Sequence, residues 1–255
     1  MARQSLSNPG VAAAHPWVDS PVGRRLHGWM LVRAVLFDFG GTLDGAGVHW
    51  LERFVELYRD AGLGLSFDRV RDAFDHATRC AYADRAVANL GLQPLIEFHV
   101  ARQLERLGLH DGTLAARVIG AFVDGARARL AESRAVLERL RPRVALGVVS
   151  NFYGNVDRLL DEAGIAPLLA TIIDSTRVGL SKPDPEIFAL AVRQLACEPG
   201  TVLYVGDSFE KDVVAAHAAG LRTAWLVGPT ERPCPCPEIV DLRLQRLADL
   251  EAIIE

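Results

Sequence analysis

The chain has 255 residues, half of them hydrophobic, which is enough to bury a sizeable core and excludes disorder of the whole. Its formal net charge is -4 and its arginines are scattered, so the basic stripe of a nucleic-acid binder is missing. No apolar run has the length of a membrane span, and the first residues lack a secretory signal, so a cytoplasmic protein acting on a small molecule is expected.

Residues 1–29 mix Pro, Gly and Ser without periodicity and are predicted to be a disordered extension, with Met30 directly before the first strand. The run from Leu31 to Phe37 is short, apolar and β-branched and stops at Asp38 and a glycine pair, as a buried parallel strand would. Further strands are predicted at Val144–Val149, Thr171–Ile173, Val202–Val205 and Thr223–Val227, alternating with helices at Asn155–Ala163, Pro185–Leu195 and Asp212–Ala219. That alternation defines an α/β class, a Rossmann-like parallel sheet covered on both faces.

Between the first two strands the periodicity is helical. Leu51, Phe54, Val55 and Tyr58 share one stripe; Val70, Phe74 and Ala77 a second; Ile96, Val100, Leu104 and Leu107 a third; Leu114, Val118 and Phe122 a fourth. We read residues 46–130 as an inserted all-helical cap domain, with 30–45 and 131–255 forming the core. The hinge is placed at Gly45-Ala46-Gly47 and the return joint between Ala126 and Ser133. Cys80, Cys197, Cys234 and Cys236 show no disulfide framework and are expected as free thiols; Cys234-Pro235-Cys236 lacks a second ligand pair and receives no role.

Ligands of open α/β sheets sit beyond the carboxyl ends of the strands, where four groups of polar residues gather: Asp38 with Gly40, Gly41 and Thr42; Ser150 with Asn151; Lys182; and Asp207 with Asp212. Singly, each is an ordinary turn former, helix cap or surface charge. Together they supply what phosphoryl transfer needs. An anionic nucleophile can approach an anionic substrate only where strong positive charge is at hand. Asp38 and Asp207 can hold a hard divalent cation beside Lys182, and an oxygen donor set with few carboxylates suits magnesium. Gly41, Thr42, Ser150 and Asn151 are the candidate phosphate contacts, several of them through backbone amides. Asp38 can then attack phosphorus to give an aspartyl phosphate that water hydrolyses.

Phe37-Asp38-Phe39-Gly40-Gly41-Thr42-Leu43, Val148-Val149-Ser150-Asn151, Lys182-Pro183-Asp184-Pro185 and Val205-Gly206-Asp207-Ser208 ending at Asp212 resemble, in order, the four motifs of the haloacid dehalogenase superfamily. The resemblance implies a helical cap in the first insertion site and a magnesium-dependent phosphatase of a small phosphorylated metabolite. It also implies Asp38 as nucleophile, Lys182 as catalytic cation, Ser150 and Lys182 as phosphate contacts, a metal site of Asp38, the Gly40 carbonyl and Asp207, and Asp212 as support for the metal or for Lys182. One position departs from it. Phosphatases of this superfamily usually carry a second Asp two residues after the nucleophile, as general acid and base, where this chain has Gly40. Asp44 and His49, just downstream, are the candidates to replace it if the hinge folds back. The departure leaves open a phospholigand-binding or regulatory protein with little turnover, and phosphonate- or halide-cleaving relatives. The metal-type last motif speaks against halides, and the absence of any Lys from Gly45 to Leu130 against phosphonates.

Overall fold

The structure, a computed structural model, describes residues 32–229 and 232–254. The extension expected over 1–29 and the start of the first strand at Leu31 lie outside the described residues.

Six parallel strands form one sheet in the order β3-β2-β1-β4-β5-β6. They are β1 (Ala34–Phe37), β2 (Ala145–Ser150), β3 (Thr171–Asp174), β4 (Val202–Gly206), β5 (Arg222–Leu226) and β6 (Leu242–Leu244). The first five are the predicted strands; β6 was missed, being a three-residue edge strand, Leu-Arg-Leu, too short to show a period. β1 is central and wholly buried on both faces, which is why its sequence is continuously apolar rather than alternating.

Register is what builds the site. Phe37 pairs with Val148 of β2 on one side and with Val205 of β4 on the other. Counting on from those partners, Asp38, Ser150 and Asp207 emerge at the same carboxyl edge of three adjacent strands.

One face of the sheet is covered by a helix at Glu186–Leu195, whose Ile187, Phe188, Ala191 and Val192 pack against Ala34, Leu36, Val202 and Tyr204. Each large apolar side chain buried there contributes about 1.5–3 kcal/mol. Beyond β5, Phe209, Val213, Trp225 and Val240 form a second cluster against which Cys234 and Cys236 pack. All four cysteines are free.

The insertion after β1 is helical, as its stripes predict. In chain order the helices are α1 (Trp50–Asp60), α2 (Phe67–Ala83), α3 (Leu92–Leu107) and α4 (Gly112–Leu140). Their N-termini follow local chemistry: His49, Ser66 and Asp111 each accept a backbone N–H of the first turn. Gly108 ends α3 in the left-handed region. The return joint expected between Ala126 and Ser133 falls inside α4, which runs unbroken for 29 residues. Its first half buries Leu114, Val118 and Phe122 in the insertion, and its last turns bury Leu137 and Leu140. Ser133 ties this strut to the turn after β1 by donating to the Leu43 carbonyl at 2.7 Å. Among the described residues no helix is long and apolar enough to cross a membrane.

Candidate active site

Asp38 follows β1 directly, and residues Phe39–Leu43 form a wide turn behind it. Gly41 adopts φ +87° there, and a Cβ at this position would lie 2.5 Å from Asp207 Oδ2. Only glycine lets the two motifs approach so closely.

Lys182 is the hub. Its buried ammonium donates to Asp38 Oδ1 at 2.7 Å, to Asp212 Oδ1 at 2.6 Å and to the Tyr204 hydroxyl at 2.9 Å. Burial alone would lower its pKa, but Asp212 and Asp38 more than offset this and hold it above the ordinary lysine range. Asn151 fixes the lysine's backbone from both sides, donating to the Lys182 carbonyl and accepting its N–H, each at 2.8 Å. The Asn151 amide side chain is thereby committed, and the backbone N–H is what it can offer a ligand.

The carboxylates of Asp38, Asp207 and Asp212 can come within 4.8 Å of one another. Burial, then the charges of Asp212 and Asp38, push the Asp207 pKa well above the ordinary carboxylate range. Asp212 is raised for the same first reason, burial, against the pull of Lys182; its Oδ2 accepts the Ser208 N–H at 2.9 Å. Three buried carboxylates facing one lysine leave uncompensated negative charge, the condition a hard divalent cation relieves. The turn offers a further oxygen: the carbonyls of Phe39, Gly41 and Thr42 each accept a backbone N–H, and Gly40, whose carbonyl is the candidate ligand, lines the cavity. This donor set fits magnesium.

Two candidate phosphate contacts have protein partners in this structure. The Gly41 N–H donates to Asp44 Oδ1 at 2.7 Å, and the fully buried Thr42 hydroxyl donates to Asp207 Oδ1 at 3.0 Å. Thr42 therefore orients a candidate metal ligand, and Gly41 provides room. Ser150 does line the cavity beside Asp38 and Lys182.

Asp44 is likewise held by protein partners. It is fully buried, and its second oxygen accepts Trp50 Nε1 at 2.6 Å and Arg53 at 3.3 Å. Burial raises its pKa despite Arg53. It pins the turn to α1 and does not line the cavity. His49 does line it, at the exposed mouth. Its Nδ1 accepts the Leu51 N–H at 3.2 Å, which leaves the proton of the neutral ring on Nε2. Desolvation first, and Lys211 second, lower its pKa.

The cavity measures about 110 Å³. Trp50, Phe74, Phe152 and Tyr153 wall it. Phe74, read in the sequence as one of a core stripe, thus also faces the site. Asp174, at the end of β3, holds the loop carrying Phe152 and Tyr153 by accepting the Gly154 and Val156 N–H groups. Tyr204 and Asp174 were missed in the sequence; a tyrosine inside the otherwise aliphatic Val-Leu-Tyr-Val-Gly was the one signal for the former. A larger groove, about 790 Å³ and lined among others by Leu92, Leu130, Arg127 and Arg134, contains none of the motif residues.

Parallel strands deliver an acidic cluster and a buried lysine to one edge of an α/β sheet, beside a helical insertion. Residues 32–220 match the family model described as haloacid dehalogenase-like hydrolase, and the chain belongs to that family. Among curated relatives, it is 33% identical over 98 residues to haloacid dehalogenase-like hydrolase domain-containing protein 3 of Bos taurus, covering 38% of this chain and 39% of that one. It is 35% identical over 97 residues to phosphoserine phosphatase of Thermus thermophilus, covering 37% of this chain and 39% of that one. Both matches thus span about two fifths of the relative. N-acetylmuramic acid 6-phosphate phosphatase of Pseudomonas putida is matched more fully, 29% identical with 76% of this chain and 82% of that one. Among solved structures, HAD-hydrolase YfnB from Bacillus subtilis, bound to magnesium, shares the fold at TM-score 0.55 and 20% identity, covering 89% of this chain and 100% of that one. The chain is a hydrolase of this family with phosphatases among its relatives.

Proposed function

We propose that the protein hydrolyses a small phosphorylated metabolite with magnesium, through an aspartyl phosphate on Asp38. The observation that carries this reading is the Lys182 ammonium bridging Asp38 and Asp212 with Asp207 alongside, a floor that pairs the candidate nucleophile with a cation and leaves charge for a divalent ion to balance. Asp38, Asp207 and the Gly40 carbonyl would hold the metal, with Asp212 behind them. The metal would offset negative charge on the phosphoryl oxygens.

In the first step an Asp38 carboxylate oxygen bonds to phosphorus while the bond to the leaving oxygen breaks, and that oxygen takes up a proton. Lys182 lowers the repulsion Asp38 feels from the substrate, and Ser150 with the Asn151 backbone N–H donates to phosphoryl oxygens. Water then cleaves the acyl phosphate, which returns the carboxylate and releases inorganic phosphate. Residues 46–130 act as the cap that closes this floor from solvent. Four free thiols are in keeping with a cytoplasmic setting.

One observation favours a second reading, a phospholigand binder with little turnover: Gly40 has no side chain to donate a proton, and Asp44 is sequestered. An aryl-phosphate assay with and without magnesium separates the two, since such a leaving group needs little protonation. Asp38→Asn should abolish turnover and leave the melting temperature near wild type. Beryllium fluoride should be trapped on Asp38; its attachment elsewhere would overturn the nucleophile assignment.

A further inference from the structure

The cavity is graded in depth. Its floor, made of Asp38, Ser150, Lys182, Asp207 and Asp212, is buried. Its walls are the buried rings of Trp50, Phe74, Phe152 and Tyr153. Its rim carries two exposed polar residues, His49 and Lys211.

The charges follow that gradient. Three carboxylates and one ammonium give the floor a formal -2 (-3 + 1), which a single divalent cation balances. Lys211 stands outside this balance: among the described residues no carboxylate lies in ion-pair contact with it. It is also close enough to His49 for its charge to act on the imidazole. The rim thus offers an uncommitted ammonium beside an imidazole whose Nδ1 is taken by Leu51 and whose Nε2–H is left to donate.

A phosphate seated on the floor must point its leaving group past these two donors. The rings of Trp50, Phe74, Phe152 and Tyr153 close in on that path, so a short group fits it best. We propose that Lys211 and His49 form a subsite for a carboxylate on the leaving group, so that the preferred substrates are compact phosphomonoesters bearing a carboxylate a few bonds from the ester oxygen. This rests on the phosphohydrolase reading and narrows its substrate class. A charge-assisted contact of this kind, discounted for its exposure, is worth about a ten-fold preference.

The test uses the full chain with magnesium and a matched pair of substrates, phosphoglycolate and ethyl phosphate, in which a carboxylate replaces a methyl group. The readout is the ratio of their kcat/KM values in wild type, Lys211→Gln and Lys211→Arg. The ratio is expected to fall about ten-fold in Lys211→Gln, chiefly through the KM for phosphoglycolate, and to recover in Lys211→Arg. Equal losses on both substrates would show that Lys211 serves the phosphoryl group or long-range steering, and would overturn the subsite. A wild type without preference for the carboxylated substrate would do the same. Absence of turnover on both substrates and on an aryl phosphate would instead remove the phosphohydrolase reading, and the subsite with it.

Discussion

Gly40→Asp is the substitution through which this site can be interrogated most directly. Gly40 has φ -73° and ψ 116°, a conformation any L-residue adopts, so a side chain brings no backbone strain. A Cβ there would meet only Trp50 Nε1 at 3.8 Å and Phe152 Cε2 at 4.0 Å, both ordinary van der Waals contacts. Replacing glycine where its conformation is compatible stabilises by about 0.4–1 kcal/mol through the unfolded chain, so the fold should persist. The new carboxyl would stand near Asp38, Asp207 and Asp212, whose charges favour its protonated form, the form a general acid needs. General acid help is worth about 10² to 10⁴ in rate, or about 3–5 kcal/mol of barrier. Against it stands repulsion of the ionised fraction from the anionic substrate, about 3 kcal/mol at about 6 Å and an effective dielectric near 20. The expected result is a gain on the order of 10² for alkyl phosphates, whose leaving oxygens need a proton, and little change for aryl phosphates. Turnover of both classes across pH is the assay. A wild type already fast on alkyl phosphates, whose alkyl-to-aryl ratio does not move in Gly40→Asp, would refute the reasoning.

Gly41→Ala, one residue on, should behave oppositely: its Cβ would stand 2.5 Å from Asp207 at φ +87°, so the melting temperature and magnesium-dependent turnover should both fall, and unchanged magnesium affinity would count against the packing argument. Asp44→Asn should cost about 3–5 kcal/mol by leaving Arg53 without its buried partner, with a much smaller effect on the rate of the enzyme that remains folded; a full-stability variant with lost turnover would restore Asp44 as the proton donor. His99 is buried among Trp50, Phe74 and Tyr153 with neither ring nitrogen bonded, and burial lowers its pKa to about 4. A depressed folded pKa gives stability that is present above the unfolded value near 6.5 and is lost as pH falls towards 4, so denaturant melts should show about 2 kcal/mol less stability from this group at pH 5 than at pH 7. His99→Phe should remove that slope, and an equal slope in both proteins would assign it to other groups.

What the sequence made legible is unequal in a physically ordered way. The five longer strands were visible because a central parallel strand is apolar at every position, and β1 is buried at all four. The floor was visible because its residues follow strand ends directly in the chain, so Asp38, Ser150 and Asp207 needed only the parallel register to converge. The roles of Gly41, Thr42 and Asp44 were not visible. A backbone N–H or hydroxyl beside a nucleophile can face either the ligand or the protein, and the choice is made by partners distant in sequence. Thr42 is claimed by a residue 165 positions away, and the Asp44 carboxylate is claimed by Trp50 and Arg53 of α1.

The same logic explains why the cap side was the hardest part to read. Phe74 shares its stripe with Val70 and is indistinguishable from it by period, yet Phe74 faces the cavity, together with Trp50. Helical periodicity reports which face of a helix is apolar, and an apolar face serves equally to fill a core or to wall a small cavity. The distinction lies in what stands opposite. For Trp50 and Phe74 it is the loop of Phe152 and Tyr153, set in place by the Asp174 carboxylate from the far end of β3. The walls of this cavity are therefore set by contacts between segments, while the residues of its floor lie in the motifs themselves.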